Sequence, residues 1–177
     1  IDRQSIKRTR VTGVGRRAVP NITTDEMNEI ASAAKGAYFL LNSARTVIDA
    51  GAEEARAVKL DGGGKVRDFA INEKCAAGAG AFTEAMAKAL EISLDELTKI
   101  CLQSDKKIPM NAQCVIFAES EVVSLIHSGV IKADISRAIH DSIADRISAV
   151  ARRVGLENDI VLIGGMAKNI CFIDALK

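Results

Sequence analysis

The sequence predicts an α/β fold in which helices cover a sheet, and three observations support this. Runs rich in β-branched residues alternate with runs whose apolar residues recur at helical spacing. Their order along the chain is strand, helix, hairpin, several helices, strand and helix. Aromatic residues make up only 3% of the chain, and aliphatic residues supply most of the 48% that are hydrophobic. Such a composition suits helices packed on a buried sheet.

The first half of the chain predicts one helix among several strands. The strands are predicted in four segments: 7–12, 44–49, 55–60 and 65–71. The last two flank Asp-Gly-Gly-Gly and therefore form a hairpin. Thr23 and Glu26 have the spacing of a capping box, and the apolar residues that follow predict a helix over roughly residues 24–38.

The second half is mainly helical. The helices are predicted over 78–91, from Ser93 onward, over 115–127, over 133–154 and from Ala167 onward. Ser93 and Glu96 form a second capping box, and Gly155 ends the longest helix. Asp159–Ile163 is predicted to be a buried strand that leads into a tight turn at Gly164 and Gly165.

The bulk composition excludes several functional classes. The 24 basic and 23 acidic residues nearly balance, which gives no electrostatic case for nucleic acid or an anionic membrane as partner. No apolar stretch is long enough to span a bilayer, and no signal peptide is recognisable. Four widely spaced cysteines without a CxxC pair argue against a secreted disulfide scaffold and a zinc ribbon, and indicate a reducing cytoplasm. Because the chain begins with Ile1, we expect it to be part of a longer polypeptide.

Two cysteines stand directly in front of predicted helices. Cys75 precedes Ala-Ala-Gly-Ala-Gly, and Cys114 precedes Val-Ile-Phe-Ala-Glu-Ser-Glu. A thiolate there faces the positive end of the helix dipole and unpaired backbone N–H groups. Because iron–sulfur clusters are held by four cysteines, two per chain suggest half of a site shared across a dimer. The alternative, that each is a small buried hydrophobic residue, remains open at this point.

The remaining cysteines and the histidines suggest structural roles. Cys101 and Cys171 lie on apolar helical faces, so we expect both to pack in the core. His127 and His140 lie on helices without a partner at ligand spacing, and we expect both to be structural.

Two strand ends carry the residues expected of a phosphate site. Asp49 and Gly51 follow one predicted strand, and Gly164 and Gly165 follow another. Glycines at strand ends let the backbone approach phosphate, and an acid beside them can hold Mg²⁺ through water. The Gly-rich turn at residues 61–64 does not match the P-loop pattern, so we interpret it as a hairpin turn.

The two cysteine motifs resemble those of the BadF/BadG/BcrA/BcrD ATPase family, which includes ATPase subunits of benzoyl-CoA reductase and activators of 2-hydroxyacyl-CoA dehydratases. The resemblance extends from about residue 11 to residue 169. Residues 50–56 (Ala-Gly-Ala-Glu-Glu-Ala-Arg), with the small-residue segment after Cys75, look most like the delta-type subunit of ATP-dependent benzoyl-CoA reductase.

The resemblance implies an actin–hexokinase–chaperone-like ATPase fold whose two lobes close on ATP and Mg²⁺. Residues 1–177 would be a single incomplete ATPase region, with the end of the first lobe at about 1–42 and the second lobe at 43–177. By motif match, Cys75 and Cys114 would supply half of a [4Fe–4S] cluster shared with a homologous ATPase subunit. ATP hydrolysis would change the angle between the helices behind the cluster, driving an electron from reduced ferredoxin to a low-potential partner.

Two departures from the family pattern affect the nucleotide site. The first phosphate loop, Asp-x-Gly followed by Ser or Thr, is absent from this sequence. The second, usually Asp-Ile-Gly-Gly-Gln-Asp-Ser-Lys, here runs Asp-Ala-Gly-Ala-Glu-Glu-Ala-Arg over residues 49–56. The carboxylates of Glu53 and Glu54 should weaken triphosphate binding unless Mg²⁺ offsets them.

The functional expectation is an ATP-driven electron-transfer subunit of a benzoyl-CoA reductase. Partner subunits would bind benzoyl-CoA and reduce its ring to a diene. Two alternatives remain: a homodimeric activator ATPase of a 2-hydroxyacyl-CoA dehydratase, and a non-hydrolysing subunit that only holds the cluster.

Overall fold

The computed structural model describes residues 3–18, 25–72, 78–111 and 114–177. Its strands are β1 (Arg10–Val11), β2 (Asp25–Glu26), β3 (Thr46–Ala50), β4 (Ala55–Leu60), β5 (Val66–Ile71) and β6 (Ile160–Ile163). Its α-helices are α1 (Glu29–Leu40), α2 (Ala79–Ala89), α3 (Leu94–Cys101), α4 (Val115–His127), α5 (Lys132–Arg153) and α6 (Ile170–Ala175). Short 3₁₀ helices occupy Arg3–Ser5, Val14–Ala18 and Gly165–Lys168. The predicted α/β fold class is confirmed.

The main sheet has four strands in the order β5-β4-β3-β6. β3, β4 and β5 form an antiparallel meander, whereas β6 returns parallel to β3 with Asp49 opposite Ile163. The carboxyl ends of β3 and β6 therefore lie side by side, which is where α/β sheets commonly bind ligands. β1 and β2 form a separate two-stranded parallel pair.

The main sheet is covered by helices on both faces. On one face, Ala34 and Ala37 of α1 pack with Val47 and Val58. On the other face, the isoleucine stripe of α5 packs with α2, α3, α6 and the alternate residues of β3 and β4. This stripe consists of Ile135, Ile139, Ile143 and Ile147, all buried. The boundary between two lobes that the sequence predicts near residue 42 stays a prediction. α1, which ends before that boundary, packs on the main sheet, whose strands follow it in the sequence.

The helix prediction was wrong at the start of α1. Residues 25–26 are extended because β2 pairs with β1 and because Arg10 forms an ion pair with Asp25. The cap is Asn28, whose Oδ1 accepts a hydrogen bond from the N–H of Ala31 at 2.7 Å. Asparagine caps helices at least as well as threonine. Thr23 lies outside the described residues.

The prediction that residues 159–163 form a buried strand was also wrong in part. β6 is an edge strand of the described sheet, and Ile160 is 44% exposed while its three successors are half-buried. The other elements lie within a few residues of their predicted bounds, and α4 has the bounds that the sequence predicted. Within the described ranges, no helix combines the length and hydrophobicity needed to cross a membrane.

Candidate nucleotide and cluster site

The predicted strand-end residues Asp49 and Gly164 lie in contact. A Cβ on Gly164 would lie 2.8 Å from Asp49 Oδ1 and 2.4 Å from the carbonyl oxygen of Ala50. Gly164 also has φ = +91°, in the region that favours glycine. This residue therefore has to be glycine for the turn after β6 to pass the end of β3.

Asp49 is half-buried, and the neighbouring cation only partly balances the charge of its carboxylate. Its Oδ2 lies 3.5 Å from Nη1 of Arg56, which faces it across the β3–β4 pair. Burial nevertheless raises the pKa of Asp49, and the nearby Glu54 adds to this, while Arg56 lowers it. A carboxylate in such surroundings is a suitable oxygen ligand for Mg²⁺ or a bound water.

The two glutamates of the β3–β4 turn differ in their surroundings. The carboxylate of Glu54 pairs with Arg56, so its charge is partly compensated within the turn. Glu53 contributes a close backbone contact, because a Cβ on Gly78 would lie 2.1 Å from its carbonyl carbon. The pairing with Arg56 therefore reduces the negative charge that Glu54 would present to a phosphate.

The β3–β4 turn is hydrogen-bonded to the first turn of α2. The N–H of Gly80 donates to the carbonyl oxygen of Gly51 at 3.1 Å, and that of Ala81 to Ala52 at 3.0 Å. The first N–H groups of a helix have no partner within the helix, so the turn acts as its cap. A Cβ on Gly80 would lie 2.9 Å from Cα of Ala52. The predicted phosphate turn and the helix that follows Cys75 are thus in tight backbone contact.

A groove of about 350 Å³ opens beside this turn. Its walls are the turn itself, the first two turns of α2, the first two turns of α3 and the Gly165–Lys168 helix with Asn169. The lining residues are Gly51, Ala52, Gly80, Thr83, Glu84, Leu94, Asp95, Thr98, Gly165, Met166, Lys168 and Asn169. The volume falls in the roughly 300–1,000 Å³ range of small-molecule sites. Gly51 and Gly165 both line it, so it is the candidate nucleotide groove.

A larger groove, of about 540 Å³, lies between α5, α6 and the segment before Cys114. Its central cation, Arg137, already pairs with Asp141 and Asp174 at 2.8 Å each. It contains none of the strand-end residues. The smaller groove is therefore the candidate for a nucleotide.

Cys114 is the N-cap residue of α4. Among the described cysteines it is the free one, and it is half-buried. The preceding segment is held to α4 because the N–H of Asn111 donates to Glu121 Oε2 at 2.9 Å. Cys75 lies outside the described residues, three positions before the N-cap of α2, and α2 packs against α4. The environment of Cys114, a free thiol at a helix N-terminus, fits a thiolate ligand.

The expectation that Cys101 and Cys171 pack in the core is confirmed, and the structure adds a bond between them. Both are buried, and they are joined in a disulfide bond. Their sulfur atoms lie beside the imidazole of His140, which is also buried. A pair already bonded to each other is not available to hold an iron–sulfur cluster, which leaves Cys75 and Cys114 as the candidate ligands.

With this geometry in place, comparison with known proteins decides the family. The model of the BadF/BadG/BcrA/BcrD ATPase family matches residues 1–177. The chain belongs to this family. Among known proteins, the chain is similar to an activator of lactoyl-CoA dehydratase from Anaerotignum propionicum. It is 41% identical over 176 residues, which cover 99% of this chain and 68% of that protein.

Two solved structures of dehydratase activators share the fold. The (R)-2-hydroxyglutaryl-CoA dehydratase component A of Acidaminococcus fermentans has a TM-score of 0.89 and 38% identity, covering 95% of this chain and 64% of that one. The Clostridium difficile activator of 2-hydroxyisocaproyl-CoA dehydratase, with bound ADPNP, has a TM-score of 0.90 and 36% identity. The match covers 99% of this chain and 65% of that one. The mixed α/β ATPase fold is therefore confirmed, and the chain spans about two thirds of the length of these relatives.

The comparisons favour the dehydratase-activator alternative over the benzoyl-CoA reductase expectation. A benzoyl-CoA reductase component of Thauera aromatica is 33% identical over 145 residues, which cover 81% of this chain and 51% of that protein. Both its identity and its coverage are lower than those of the lactoyl-CoA dehydratase activator. The resemblance of residues 50–56 to the delta-type subunit covers only a short segment.

Several residues of the site were not predicted from the sequence. Gly78 and Gly80 form the contact between the turn and α2. Glycines at the start of a predicted helix were the sequence feature that could have indicated this close approach. Polar groove residues on α2 and α3, such as Glu84 and Asp95, carry no such signal because they look like ordinary exposed helix positions. The bond between Cys101 and Cys171 was not predicted either, because the two residues lie 70 positions apart and no local pattern links them.

Proposed function

We propose that this chain is the cluster- and nucleotide-binding part of an ATP-dependent activator of a 2-hydroxyacyl-CoA dehydratase. The observation that carries the proposal is the backbone contact between the β3–β4 turn and α2. It joins a candidate phosphate turn to the helix that follows Cys75. The family assignment and the 36–41% identity to three dehydratase activators support it.

In this proposal the nucleotide occupies the groove beside Gly51. Asp49 holds Mg²⁺ or its water, and Gly51 admits the phosphates. Gly165 and the polar side chains on α2 and α3 surround the nucleoside. The half-buried position and raised pKa of Asp49 support its assignment as the cation ligand.

Cys75 and Cys114 would hold the cluster together with the same pair from a second subunit. A bound [4Fe–4S] cluster supplies one-electron transfer at low potential. The chain's own contribution is to place each thiolate next to a helix N-terminus, where negative charge is favoured. The position of Cys114 at the N-cap of α4 and its free state support this role.

The groove and the cysteines would communicate through α2. Nucleotide binding fixes the β3–β4 turn, and that turn caps α2 through Gly51 and Ala52. Because Gly78 and Gly80 leave no gap between turn and helix, a shift of the turn moves the start of α2. α2 packs against α4, so this movement changes the relative position of the two helix starts that follow Cys75 and Cys114 in the sequence.

The second subunit would cover apolar residues next to Cys114. Ile116 and Phe117, in the first turn of α4, are 70% and 67% exposed. Large exposed apolar side chains that lie together mark interaction surfaces. A twofold contact at this turn would bring two copies of Cys114 to one interface.

The test uses the full-length protein, purified without oxygen, and a 2-hydroxyacyl-CoA dehydratase as acceptor. With a low-potential donor such as reduced ferredoxin, dehydratase activity should appear only when Mg-ATP is added. ADPNP in place of ATP should not support repeated activation. Activation of the dehydratase without any nucleotide would contradict the proposal.

Two other functions are separated by related measurements. If the protein supports ring reduction by benzoyl-CoA reductase catalytic subunits and not dehydratase activation, the reductase assignment is correct. Glu53 and Glu54 in the phosphate turn motivate the other candidate, a subunit that holds the cluster without hydrolysing ATP. Micromolar binding of Mg-ATP to the isolated full-length subunit, followed by phosphate release, would exclude it.

A further inference from the structure

The bond between Cys101 and Cys171 joins two walls of the candidate nucleotide groove. Cys101 is the last residue of α3, and the first two turns of α3 form one wall. Cys171 is the second residue of α6, directly after the Gly165–Lys168 helix and Asn169, which form another wall. No other covalent link connects these two segments within the described ranges.

Hydrogen bonds from His140 extend the same connection to the groove. Nδ1 of His140 lies 2.8 Å from the carbonyl oxygen of Ser136, so it carries the proton and donates. Nε2 then accepts from Nδ2 of Asn169 at 3.0 Å. Oδ1 of Asn169 accepts from the N–H of Phe172 at 3.0 Å, which caps α6. Asn169 lines the groove, and it is therefore held between His140 and the helix that carries Cys171.

We propose that Cys101 and Cys171 form a redox-controlled clamp that sets the spacing of the nucleotide groove. This inference rests on the proposed nucleotide site and adds its regulation. When the bond is closed, α3 and the 165–169 segment are fixed relative to each other, so the groove is preformed for its ligand. When it is open, only side-chain packing and hydrogen bonds hold the two walls. Fixing a binding site in advance lowers the entropy cost of binding.

The chemistry of the clamp is thiol–disulfide exchange. A small dithiol supplies two electrons and two protons, the Cys101–Cys171 bond breaks, and two thiols form while the dithiol becomes a cyclic disulfide. In the reverse direction a low-molecular-weight disulfide takes up the two electrons and is released as two thiols. In reducing compartments, disulfides are typically transient and redox-sensing. Both sulfurs are buried, so exchange requires α6 to open locally.

The experiment measures the affinity of full-length, anaerobically purified protein for Mg-ADPNP by calorimetry. One sample is equilibrated with a dithiol and one with a low-molecular-weight disulfide. Mass spectrometry of peptides prepared without reductant gives the fraction with linked Cys101 and Cys171. The matched control is Cys101→Ser carried through both treatments, which corrects for any effect on other thiols. Cys171→Ser serves as a second variant in case Cys101→Ser does not fold.

We expect the linked protein to bind Mg-ADPNP at least threefold more tightly than the open one. The serine variants should match the open wild type after both treatments. Equal affinity of linked and open wild type, or absence of the linked peptide after oxidation, would overturn the clamp. One zinc ion per reduced chain, lost in His140→Gln, would also overturn it, because the cluster of side chains would then be a metal site.

The clamp and the proposed nucleotide site fail in different ways. If neither redox state binds Mg-ADPNP, the groove assignment is wrong and the clamp controls no nucleotide. If both states bind it equally, the nucleotide site stands and only the clamp is wrong.

Discussion

At the scale of single residues, the site depends on a carboxylate at one strand end and a glycine at the next. Asp49 lies against Gly164, and Gly164 alone permits the turn after β6 to pass so closely. The sequence predicted both as site residues because acids and glycines at strand ends are chemically distinctive. It did not predict that Arg56 would pair with both Asp49 and Glu54, since that follows from the strand register.

We expect Asp49→Asn to weaken ligand binding without reducing the stability of the fold. Its carboxylate has a raised pKa because burial disfavours the charge. The unfavourable contribution therefore appears as the pH rises past the ordinary carboxyl range, and it is complete only above the raised pKa of the folded state. We expect Asn to reduce Mg-nucleotide affinity by about tenfold or more, the size of a lost charged contact, without lowering the unfolding midpoint.

The matched control for this change is Asp68→Asn, at an exposed position on β5. It should leave both nucleotide affinity and thermal unfolding unchanged. Calorimetry and circular dichroism provide the two readouts. Unaltered Mg-nucleotide affinity in Asp49→Asn would remove this residue from the site.

His140 gives the fold a specific dependence on pH. Burial lowers the pKa of His140, so its imidazole is neutral in the folded protein at pH 7. Unfolding restores an ordinary pKa near 6.5, and the unfolded state then takes up the proton more readily. The stability that neutral His140 contributes is therefore complete above about pH 6.5 and is lost as the pH falls toward the folded value.

We expect the free energy of unfolding to fall between pH 7.5 and pH 5 more steeply in the wild type than in His140→Gln. Denaturant titrations at several pH values measure this. His127→Gln, at an exposed histidine on α4, should retain the wild-type slope. Parallel profiles for wild type and His140→Gln would show that His140 does not titrate differently on unfolding.

At the scale of elements, the connection between the β3–β4 turn and α2 is the central feature. The turn satisfies the first N–H groups of the helix, and two glycines let the backbones touch. Hydrophobic periodicity predicted α2 and α5 well because each presents a clear apolar face. It placed the start of α1 wrongly because the pairing of β1 with β2 is a long-range contact. The edge position of β6 was not predicted, because the order of strands in a sheet is also set by long-range contacts.

Gly80→Ala tests this connection, with Gly36→Ala as its matched control. Both glycines lie within helices, where alanine is favoured by roughly 0.5–1 kcal/mol. A Cβ at Gly36 meets nothing within 4 Å, so we expect that variant to be stabilised. At Gly80 the added methyl group meets the backbone of Ala52, and overpacking should cost about 1–3 kcal/mol instead.

Denaturant unfolding of both variants measures the difference in stability. In Gly80→Ala, nucleotide-dependent electron transfer should also fall, because the turn is displaced from the start of α2. Equal stabilisation of the two variants would show that the turn and α2 are not in tight contact.

At the scale of the whole molecule, the proposed cluster requires a second subunit. One chain offers two candidate thiolates, whereas a cluster takes four. The apolar side chains of Ile116 and Phe117 lie beside Cys114 and would be covered by that subunit. The sequence could suggest a shared site from the cysteine count, but the exposed position of this turn emerged only from the fold.

Phe117→Asp should weaken association of the full-length protein. A charge placed in an apolar interface is left without solvent or a partner, and this should lower dimer affinity by at least tenfold. The matched control is Phe39→Asp, since Phe39 is 84% exposed on α1, away from Cys114. Analytical ultracentrifugation under anaerobic conditions should show monomers only for Phe117→Asp. An unchanged dimer would mean that the subunits meet elsewhere.

The most direct test of the central claim is the iron content of the full-length, anaerobically purified protein, measured together with its mass in solution. A cluster shared by two chains predicts about two iron atoms per chain in a dimer. Cys75→Ser and Cys114→Ser should each abolish iron binding, whereas Cys101→Ser should retain it. Four iron atoms on a monomer, or full iron content in Cys114→Ser, would contradict the account.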